Sequence, residues 1–452
     1  MKALVIAAGE GSRLRVSGYH GVKPLYPLLG LSLIERVLLT LREAGIREVV
    51  LVIGFRGQEI KDYLGDGSRL GVKIQYIDNP SWSAGNGTSV LAAEKVLQGE
   101  RSFLLTMADH IVSQEAVERL IKVRPREHEI YVGADFKLDR IADLEEATKI
   151  LVSDGKITAI GKKLNEFQAV DCGLFHATPA LFDALKEAQV QGNSSLSDGI
   201  MVMARQGQAL VCDIGDTWWI DVDKPDDARL ARKVLLMNLP SPRDGLVARY
   251  FNRKISVVLS SWLAWTRITP NQVSIFNAVL CFLSAILFAT GHFLWAGLTA
   301  QIASIIDGID GELARLKFLK SPFGELLDSV LDRYGDGLIL MGMTAGAYLN
   351  GSHPLVLVLG SLALLGSPMS MLMKEKFHTA TGRRYLPAQE GMWVNLLLAN
   401  RDGRLLVVML SGIIRLPVVG LAILAVTPHV LVLIRLKLMK RLLLKNSASL
   451  KV

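Results

Sequence analysis

Cysteine is scarce in this chain, and the few cysteines are not spaced as metal ligands. Cys172, Cys212 and Cys281 are the only three in 452 residues. No two of them form a short Cys-x-x-Cys pair, which argues against a disulfide framework and a zinc site, so we expect reduced structural thiols. Aromatic residues make up only 7% and no basic patch is interleaved with them, so nucleic acid is not an expected partner.

The start of the chain does not have the pattern of a secretory signal. Its first apolar run is about seven residues long and ends in a glycine-rich turn instead of a small-residue cleavage site. Hydrophobic residues nevertheless reach 50% and the mean hydropathy is +0.33, which exceeds the usual composition of soluble proteins. The long apolar runs begin at Asn271, so we expect a charged globular part followed by a membrane part. The net charge of +8 gathers beside those runs and fits anionic lipid and phosphorylated substrates.

Residues 1–235 alternate short β-branched runs with amphipathic runs. This alternation predicts a mostly parallel, Rossmann-like α/β sheet. Such sheets bind ligands at the carboxyl ends of their strands. The alternating runs are Ala3–Ala7, Leu33–Glu43, Glu48–Ile53, Gln58–Leu64, Val72–Ile77, Ser89–Leu97 and Phe103–Met107.

Residues 236–268 are expected to form a linker and an interfacial amphipathic helix. The segment 239–244, LPSPRD, has two prolines and no periodicity. From Leu246 to Trp265, basic residues stand beside aromatic residues, which favours a helix at a membrane surface. The alternative interpretation is an ordinary linker helix.

Residues 269–452 are expected to form an all-α polytopic membrane domain with six transmembrane helices. Lys and Arg fall in alternate connections between the apolar runs, and only Arg415 departs from this pattern. The positive-inside bias therefore predicts a multi-pass protein of the cytoplasmic membrane, with the N-terminal domain and both active sites facing the cytoplasm. The apolar runs lie at 272–291, 293–313, 326–349, 354–373, 404–414 and 417–434, of which the fifth is short.

The segment 307–332 places four aspartates at the ends of two apolar runs. Unpaired carboxylates are costly at membrane depth, and opposed helix faces carrying them would bind hard divalent cations such as Mg²⁺ or Mn²⁺. Two such ions suit phosphoryl transfer. The alternative interpretation is that the acids pair with basic neighbours such as Arg333 at a water-facing helix end. Steps of three and four residues give Asp307, Asp310, Gly311 and Arg315 one face, and Gly324, Asp328 and Asp332 another.

This segment resembles the signature of the CDP-alcohol phosphotransferases. The signature positions are filled by Asp307, Asp310, Gly311, Ala314, Arg315, Gly324, Asp328 and Asp332 without departure. The resemblance implies that all four aspartates bind metal, and that Asp332 is also the base for the acceptor hydroxyl. It further implies a CDP site at Asp307, Asp310, Gly311 and Arg315, from which CMP leaves.

A glycine-rich turn, Ala8–Arg13, follows the first predicted strand. Backbone N–H groups of such a turn can cradle phosphates, while the arginine and Lys23 supply positive charge for a triphosphate. The turn fails as a dinucleotide fingerprint because the third glycine is missing. Asp109 ends the strand Phe103–Met107, where it is well placed to hold Mg²⁺, and Asp221 with Asp223 forms a second acid pair.

Together these residues resemble the sugar-phosphate and alcohol-phosphate nucleotidyltransferases. The resemblance implies attack by a phosphate oxygen on the α-phosphate of a nucleoside triphosphate, with Arg13 and Lys23 catalytic and Mg²⁺ on Asp109 with Asp221 or Asp223. The implied nucleotide-binding residues are Ala8, Gly9, Gly11, Arg13, Lys23, Asn79, Asn86, Gly87 and Asp109. The implied acceptor residues are Glu146, Lys149, Asp171 and Gly173, with surface roles for the first two as the alternative.

The fusion of these halves is most simply explained if the first makes the donor for the second. The arrangement resembles the bifunctional family that joins an inositol-1-phosphate cytidylyltransferase to a di-myo-inositol phosphate phosphate synthase. That resemblance, and not composition or spacing, supplies the inositol. It implies that CTP and inositol 1-phosphate give CDP-inositol, which reacts with a second inositol 1-phosphate, and it adds a homodimer as an expectation. The alternatives are a phospholipid synthase coupled to CDP-alcohol synthesis and a membrane-anchored nucleotide sensor.

A phosphorylated acceptor needs a cationic pocket near the metal site. The segment 374–384, on the predicted cytoplasmic side, carries Lys374, Lys376, Arg383 and Arg384. We expect one or more of them to bind the acceptor phosphate. The alternative is that these charges only set the membrane topology.

Overall fold

The computed structural model describes residues 1–16, 18–141, 143–241, 244–382 and 400–449. The chain divides into two compact units, Met1–Val234 and Leu235–Val452. The first unit combines strands with helices, and the second is helical throughout its described residues.

Among the described residues of the first unit, nine of the strands form one sheet. The strands are β1 (Ala3–Ala7), β2 (Pro27–Leu28), β3 (Leu31–Ser32), β4 (Glu48–Ile53), β5 (Lys73–Asp78), β6 (Phe103–Met107), β7 (His110–Val112), β8 (Ile130–Asp135), β9 (Lys149–Ser153), β10 (Lys156–Gly161), β11 (Ala169–Ala177), β12 (Ala209–Asp213) and β13 (Trp219–Asp221). The sheet has the order β5-β4-β1-β6-β11-β8-β12-β10-β9, and β13 pairs separately with β7. Every residue of β1 is buried, as expected for a parallel strand covered on both faces.

The sheet is parallel on one side only. β5, β4, β1 and β6 run parallel, whereas β11 is antiparallel to both β6 and β8. The expectation of a mostly parallel sheet therefore holds for β5, β4, β1 and β6, whereas in the rest of the sheet only β8 and β12 run parallel and the other pairs are antiparallel. A hairpin between β9 and β10 is one reason: Asp154 and Gly155 both have positive φ, at 51° and 77°, which suits a tight two-residue turn between antiparallel strands.

Helices cover the faces of this sheet. They are α1 (Ser12–Val16), α2 (Leu33–Glu43), α3 (Gly57–Leu64), α4 (Asn86–Ala92), α5 (Glu94–Leu97), α6 (Gln114–Lys122), α7 (Ala180–Val190), α8 (Leu196–Arg205) and α9 (Pro225–Met237). A capping box between Ser32 and Glu35 starts α2. The run Ser89–Leu97, expected as one amphipathic segment, is divided between α4 and α5 with a break at Ala93.

The second unit contains one short and six longer α-helices among its described residues. They are α10 (Arg253–Leu263), α11 (Pro270–Ala289), α12 (Phe293–Leu316), α13 (Pro322–Leu349), α14 (Leu355–Thr381), α15 (Arg401–Ile413) and α16 (Pro417–Ser449). Thr269 and Gln272 form a capping box at the start of α11, and Ser321 caps α13 ahead of Pro322. The six long helices correspond to the six apolar runs of the sequence, most of them extended at their ends.

Glycines allow the central helices to approach closely. A side chain at Gly342 or Gly346 of α13 would overlap the backbone of Ala285 or Phe288 on α11. Small residues are the usual means of close packing between membrane helices. This packing brings the start of α13 beside α11 and α12, which carry the polar groups described below.

Within the part of the chain that the structure describes, three helices are long and apolar enough to cross a membrane: Pro270–Ala289, Leu355–Thr381 and Pro417–Leu443. They indicate a membrane-associated unit. Helices α12 and α13, which carry the acidic segment, and α15, which has only 13 residues, are not among these three. The apolar face of α10 supports the same conclusion, because Ile255, Val258 and Trp262 are all exposed along one stripe, which Phe251 extends ahead of the helix.

Candidate active sites

A cavity of about 340 Å³ opens beside the loop that follows β1. At Gly11, φ is +65°, and a side chain there would overlap that of Lys23, so the loop geometry requires glycine. The volume falls in the range of small-molecule sites. The residues that line it include the predicted Gly9, Gly11, Arg13, Lys23, Asp109 and Asp223, together with Lys162.

Lys23 is the centre of this cavity. It is 8% exposed, its Nζ lies 2.5 Å from Asp109 Oδ2 and 4.0 Å from Asp221 Oδ1, and it also bonds Asp223. Burial alone would lower the pKa of the Lys23 amine, but the three carboxylates together raise it above its ordinary value. The pKa of Asp109, which burial would raise, is held well below its usual range by Lys23 and His110. Lys23 is therefore a fixed cation at neutral pH.

His110 was not predicted as a site residue from the sequence, yet its ring lies beside the carboxylates of Asp109 and Asp221. Its Nδ1 is 3.0 Å from Asp109 Oδ1 and 3.8 Å from Asp221 Oδ1, and its ring stacks on Trp219 with 6.2 Å between centroids. Burial disfavours the charged ring, but Asp221 and Asp109 outweigh it and raise the pKa of His110 to about 9. Burial also raises the pKa of Asp221 to about 6. The imidazole thus lies beside both acids.

Asp171 and Gly173 adjoin this histidine. Gly173 has φ +72°, and a side chain there would overlap the His110 ring. The backbone N–H of Gly173 donates to Asp171 Oδ1 over 2.8 Å, and burial raises the pKa of Asp171 to about 6. The structure therefore brings this predicted acceptor pair close to the Asp109 group.

Arg13 and Glu146 meet at the other side of the cavity. Arg13 donates to Asp223 over 2.8 Å and to Glu146 over 3.4 Å. Lys162, absent from the sequence prediction, lies 3.6 Å from Glu146. Lys149 is turned to backbone oxygens instead, those of Glu145 and Lys162.

The remaining predicted nucleotide residues hold the loops around the sheet edge. The Asn79 amide donates to Thr88 and Ser89, and Asn86 Oδ1 accepts from the N–H of Leu196. The N–H of Gly87 donates to the Ser194 carbonyl, and the Ala8 carbonyl accepts from Phe55. These four residues, Ala8, Asn79, Asn86 and Gly87, do not line the Lys23 cavity.

The oxygen atoms of the first site are suitable ligands for a divalent cation. Asp221 Oδ1 is buried and has no hydrogen-bond partner among the described residues. Ligand atoms of Asp109, His110 and Asp221 lie within 4.8 Å of one another. Carboxylate oxygens are what Mg²⁺ and Mn²⁺ prefer, so the carboxylates of Asp109 and Asp221 fit the cation expected from the sequence.

The second constellation lies where α12 and α13 face each other. Ligand oxygens of Asp307, Asp328 and Asp332 lie within 4.8 Å of one another. Asp310 accepts instead from Ser274 Oγ at 2.6 Å and from the N–H of Gly311 at 2.5 Å. Three of the four predicted carboxylates are thus grouped as oxygen-only ligands, which fits a hard divalent cation.

Arg401, on α15, lies among the carboxylates of this acidic group. Arg401 forms ion pairs with Asp307, with Asp332 at 2.9 Å and with Asp336 at 3.1 Å, and Arg404 adds a second pair to Asp336 at 2.6 Å. In the sequence these arginines indicated only topology. Their spacing of three residues at the start of an apolar run, and Asp336 four residues after Asp332, are the signals that could have identified them.

Gly311 and Arg315 are close to each other on α12. A side chain at Gly311 would come within 3.3 Å of Arg315 Nη1. Arg315 Nε is buried without a hydrogen-bond partner among the described residues. An unsatisfied buried guanidinium donor is costly, and a phosphate oxygen would satisfy it.

A polar cavity of about 180 Å³ adjoins Asp307. Lys374 lines it, whereas Lys376 is exposed and is not among its lining residues. Arg383 and Arg384 lie outside the described residues. Its lining consists of Asp244, Gly245, Ala248, Asn252, Arg253, Ser304, Asp307, Gly308, Lys374, Asn400, Arg401 and Asp402. Cations, carboxylates and amides therefore share one small space.

Two family models match the chain in tandem. The MobA-like NTP transferase domain matches residues 3–198, and the CDP-alcohol phosphatidyltransferase family matches residues 267–391. The first model covers Lys23 and Asp109 but ends before Asp223, and the second covers the whole acidic segment of α12 and α13.

Relatives with both halves are also found. A bifunctional IPC transferase and DIPP synthase from Rubrobacter xylanophilus is 36% identical over 425 residues, which cover 94% of this chain and 92% of the relative. The protein of the same name from Thermococcus kodakarensis is 34% identical, covering 90% and 89%. Among solved structures, an inositol-1-phosphate CTP transferase from T. maritima is 27% identical, with a TM-score of 0.45, and the match covers 50% of this chain and 90% of that one. Because the two bifunctional relatives match through both units, this chain belongs to the family of bifunctional IPC transferases and DIPP synthases.

Proposed function

We propose that the chain makes CDP-inositol from CTP and inositol 1-phosphate in its first unit. The second unit then transfers inositol phosphate from CDP-inositol to another inositol 1-phosphate, giving di-myo-inositol phosphate phosphate and CMP. The observation that carries this proposal is the presence of two phosphoryl-transfer constellations in one chain: Lys23 with Asp109 and Asp223, and Asp307 with Asp332. The relatives' names pair the same two activities.

In the first reaction, a phosphate oxygen of inositol 1-phosphate attacks the α-phosphorus of CTP and pyrophosphate leaves. Lys23 and Arg13 stabilise the negative charge that develops on the α-phosphate and on the leaving group. Gly9 and Gly11 allow the triphosphate to approach the backbone of the loop. Asn79, Asn86 and Gly87 belong to the loops that are assigned to the base and ribose of CTP in this proposal.

The acceptor inositol phosphate is assigned to the side of the cavity that carries Glu146, Asp171 and Gly173. Carboxylates there can accept hydrogen bonds from inositol hydroxyls. Lys162 and Lys149 supply the positive charge that the acceptor phosphate requires. Support comes from the contact of Glu146 with both Arg13 and Lys162.

We assign one Mg²⁺ or Mn²⁺ to the first site and two to the second. Asp109 with Asp221 or Asp223 would hold the first ion. When bound, such ions neutralise phosphate charge and stabilise the leaving group. The ligands of the second site are Asp307, Asp310, Asp328 and Asp332, supported by the grouping of three of these carboxylates.

In the second reaction, a hydroxyl of the acceptor attacks the phosphorus that carries the donor's inositol, and CMP leaves. Asp332 accepts the proton of that hydroxyl. Gly311 gives the nucleotide room beside α12, and Arg315 donates to its phosphates. Lys374 and Arg401, which line the cavity beside Asp307, bind the phosphate of the acceptor, with Lys376, Arg383 and Arg384 as further cations of the same segment.

We further propose that residues 1–235 form the cytosolic nucleotidyltransferase domain, 236–268 the linker with its interfacial helix, and 269–452 the membrane domain. The six long helices of the second unit support six transmembrane spans. Basic residues after α12, at the end of α14 and within α16 support a cytoplasmic location for both active sites. A homodimer completes the proposal.

The test follows both reactions in the same membranes. Membranes carrying the full chain receive CTP, Mg²⁺ and labelled inositol 1-phosphate, and pyrophosphate, CMP and labelled products are measured. Pyrophosphate, CMP and a water-soluble product with two inositols support the proposal. Absence of CDP-inositol rejects inositol as the alcohol, and a product that forms only with added lipid and extracts into organic solvent favours a phospholipid synthase instead.

A further inference from the structure

The linker that joins the two halves ends in a buried ion pair. Asp244 has a side chain only 8% exposed, and Arg253 binds both of its oxygens at 2.7 Å, through Nε and Nη2. The N–H of Ser241 adds a bond of 2.9 Å to the same carboxylate. A bidentate arginine–carboxylate pair fixes both orientation and distance. Asp244 is therefore an anchored position at the end of a segment that the sequence predicted to be a loose linker.

Arg253 also binds a carboxylate inside the signature segment. Glu312 of α12 is fully buried, at 0% exposure, and accepts from Arg253 Nη1 at 2.9 Å. The hydroxyls of Ser256 and Ser260 on α10 each donate to it over 2.7 Å. A buried carboxylate is costly unless it is paired and hydrogen-bonded. Among the described residues, all its hydrogen-bond donors come from α10, so loss of α10 would leave this buried carboxylate without them.

The network touches the walls of the second active site. Glu312 follows Asp310 and Gly311 directly in sequence, and the Arg253 guanidinium lies so close to Gly308 that a side chain there would overlap it. Arg253 lines the cavity next to Asp307. Its Nε, Nη1 and Nη2 are all engaged by carboxylates, so Arg253 holds its neighbours in place.

We propose that Glu312 and Arg253 are positioning residues for the acceptor side of the second transfer reaction. Together they fix the wall of the cavity beside Asp307, and through its pair with Arg253 the linker residue Asp244 supports that site as well. The proposal rests on the function proposed above, because it takes a polyol phosphate as the molecule that enters this cavity. Removing the charge of Glu312 or the fork of Arg253 loosens the wall and weakens acceptor binding, while the CDP side keeps its own contacts with α11.

The experiment compares Glu312→Gln and Arg253→Lys with the unchanged full chain in membranes. CDP-inositol and inositol 1-phosphate are varied separately, with CMP release as the readout. We expect KM for inositol 1-phosphate to rise about fivefold or more in both variants, and KM for CDP-inositol to change less than about twofold. Pyrophosphate release from CTP reports the first unit and is expected to stay unchanged. Ser284→Ala is the matched control, since Ser284 is equally buried and bonds the Ala296 carbonyl on the neighbouring helix.

The outcomes separate this proposal from the function on which it rests. If the unchanged chain releases no CMP with inositol 1-phosphate as acceptor, the proposed function fails. If it does and both folded variants keep the original acceptor KM, the positioning role is rejected. Equal losses for both substrates, shared by Ser284→Ala, would also reject it, because any weakened helix contact would then suffice. Should Glu312→Gln not fold, Arg253→Lys decides, because it keeps the charge and removes only the bidentate geometry.

Discussion

The guanidinium of Arg401 lies 2.9 Å from the carboxylate of Asp332. Arg401 begins α15, whereas Asp332 is on α13, so the contact joins helices that are distant in sequence. The same arginine pairs with Asp307 and Asp336. A cation of the protein thus shares the carboxylates assigned to phosphoryl transfer, and Asp336 determines where that cation lies.

Asp332→Asn is expected to stop the second reaction and leave the first intact. The amide cannot take the proton of the acceptor hydroxyl, and general-base catalysis contributes about a hundredfold or more to rate. CDP-inositol should accumulate while CMP release falls by at least that factor. Glu325→Gln, an exposed acid on the same helix, is the control. CMP release near the original rate in Asp332→Asn would remove Asp332 as the base.

Lys23→Met is expected to lose the first reaction, because no buried cation then faces the phosphates. Removing one preorganised donor to a developing anion costs about 10²–10³ in kcat. Pyrophosphate release should fall accordingly, and supplied CDP-inositol should restore the final product. Lys95→Met, at an exposed position on α5, should have no effect. If supplied CDP-inositol fails to restore product, the loss is not confined to the first site.

Gly173→Ala is expected to destabilise the first site twice over. An alanine at φ +72° carries about 1–2 kcal/mol of backbone strain, and its side chain would also displace the His110 ring. Gly155→Ala is the matched control, since Gly155 has φ +77° but nothing within 4 Å of the added carbon. Only Gly173→Ala should lose pyrophosphate release. Equal activity in the two variants would show that the position of the His110 ring is unimportant.

Asp336→Asn should destabilise the second unit. Its carboxylate is the shared partner of Arg401 and Arg404, and removing one partner of a buried ion pair costs about 3–5 kcal/mol. A lower melting temperature of the detergent-solubilised protein is the measurement, with pyrophosphate release showing that the first unit is intact. An unchanged melting temperature would mean that the arginines find other partners.

Acid should weaken the first unit through His176. Burial lowers the pKa of this histidine below its ordinary value of 6.5, so its neutral form belongs to the folded state. The resulting stabilisation is complete above about pH 6.5 and is lost as pH falls through the lower folded-state pKa. The free energy of unfolding of His176→Gln should therefore change less between about pH 7 and pH 5 than that of the unchanged chain. His128→Gln, at an exposed histidine, should show the same change in the free energy of unfolding as the unchanged chain.

Elements with strong local patterns could be predicted from the sequence. β1, β4, β6 and α2 have the predicted bounds, because buried parallel strands are continuous apolar runs and the capped helix has a clear start. The antiparallel half of the sheet was missed, although Asp154-Gly155 is a recognisable hairpin turn. Strand order depends on contacts between distant segments, which periodicity does not report.

The candidate sites divide in the same way. The acidic residues of α12 and α13 could be predicted because one helical spacing collects them. His110 follows a predicted metal ligand directly, but only the fold shows its ring beneath Asp221. Lys162 comes from another element, and nothing in its local sequence distinguishes it from a surface cation, whereas Arg401 is marked only by its spacing from Arg404 at the start of an apolar run.

The anchoring of Glu312 by α10 sets the length of any shortened form of the second unit. A protein trimmed to begin at the first apolar helix would keep every signature residue and all six long helices. It would nevertheless lose Arg253, Ser256 and Ser260, which supply all the hydrogen bonds found for this carboxylate. A version that starts before Asp244 retains them, so the functional boundary lies ahead of the first span by the whole length of α10.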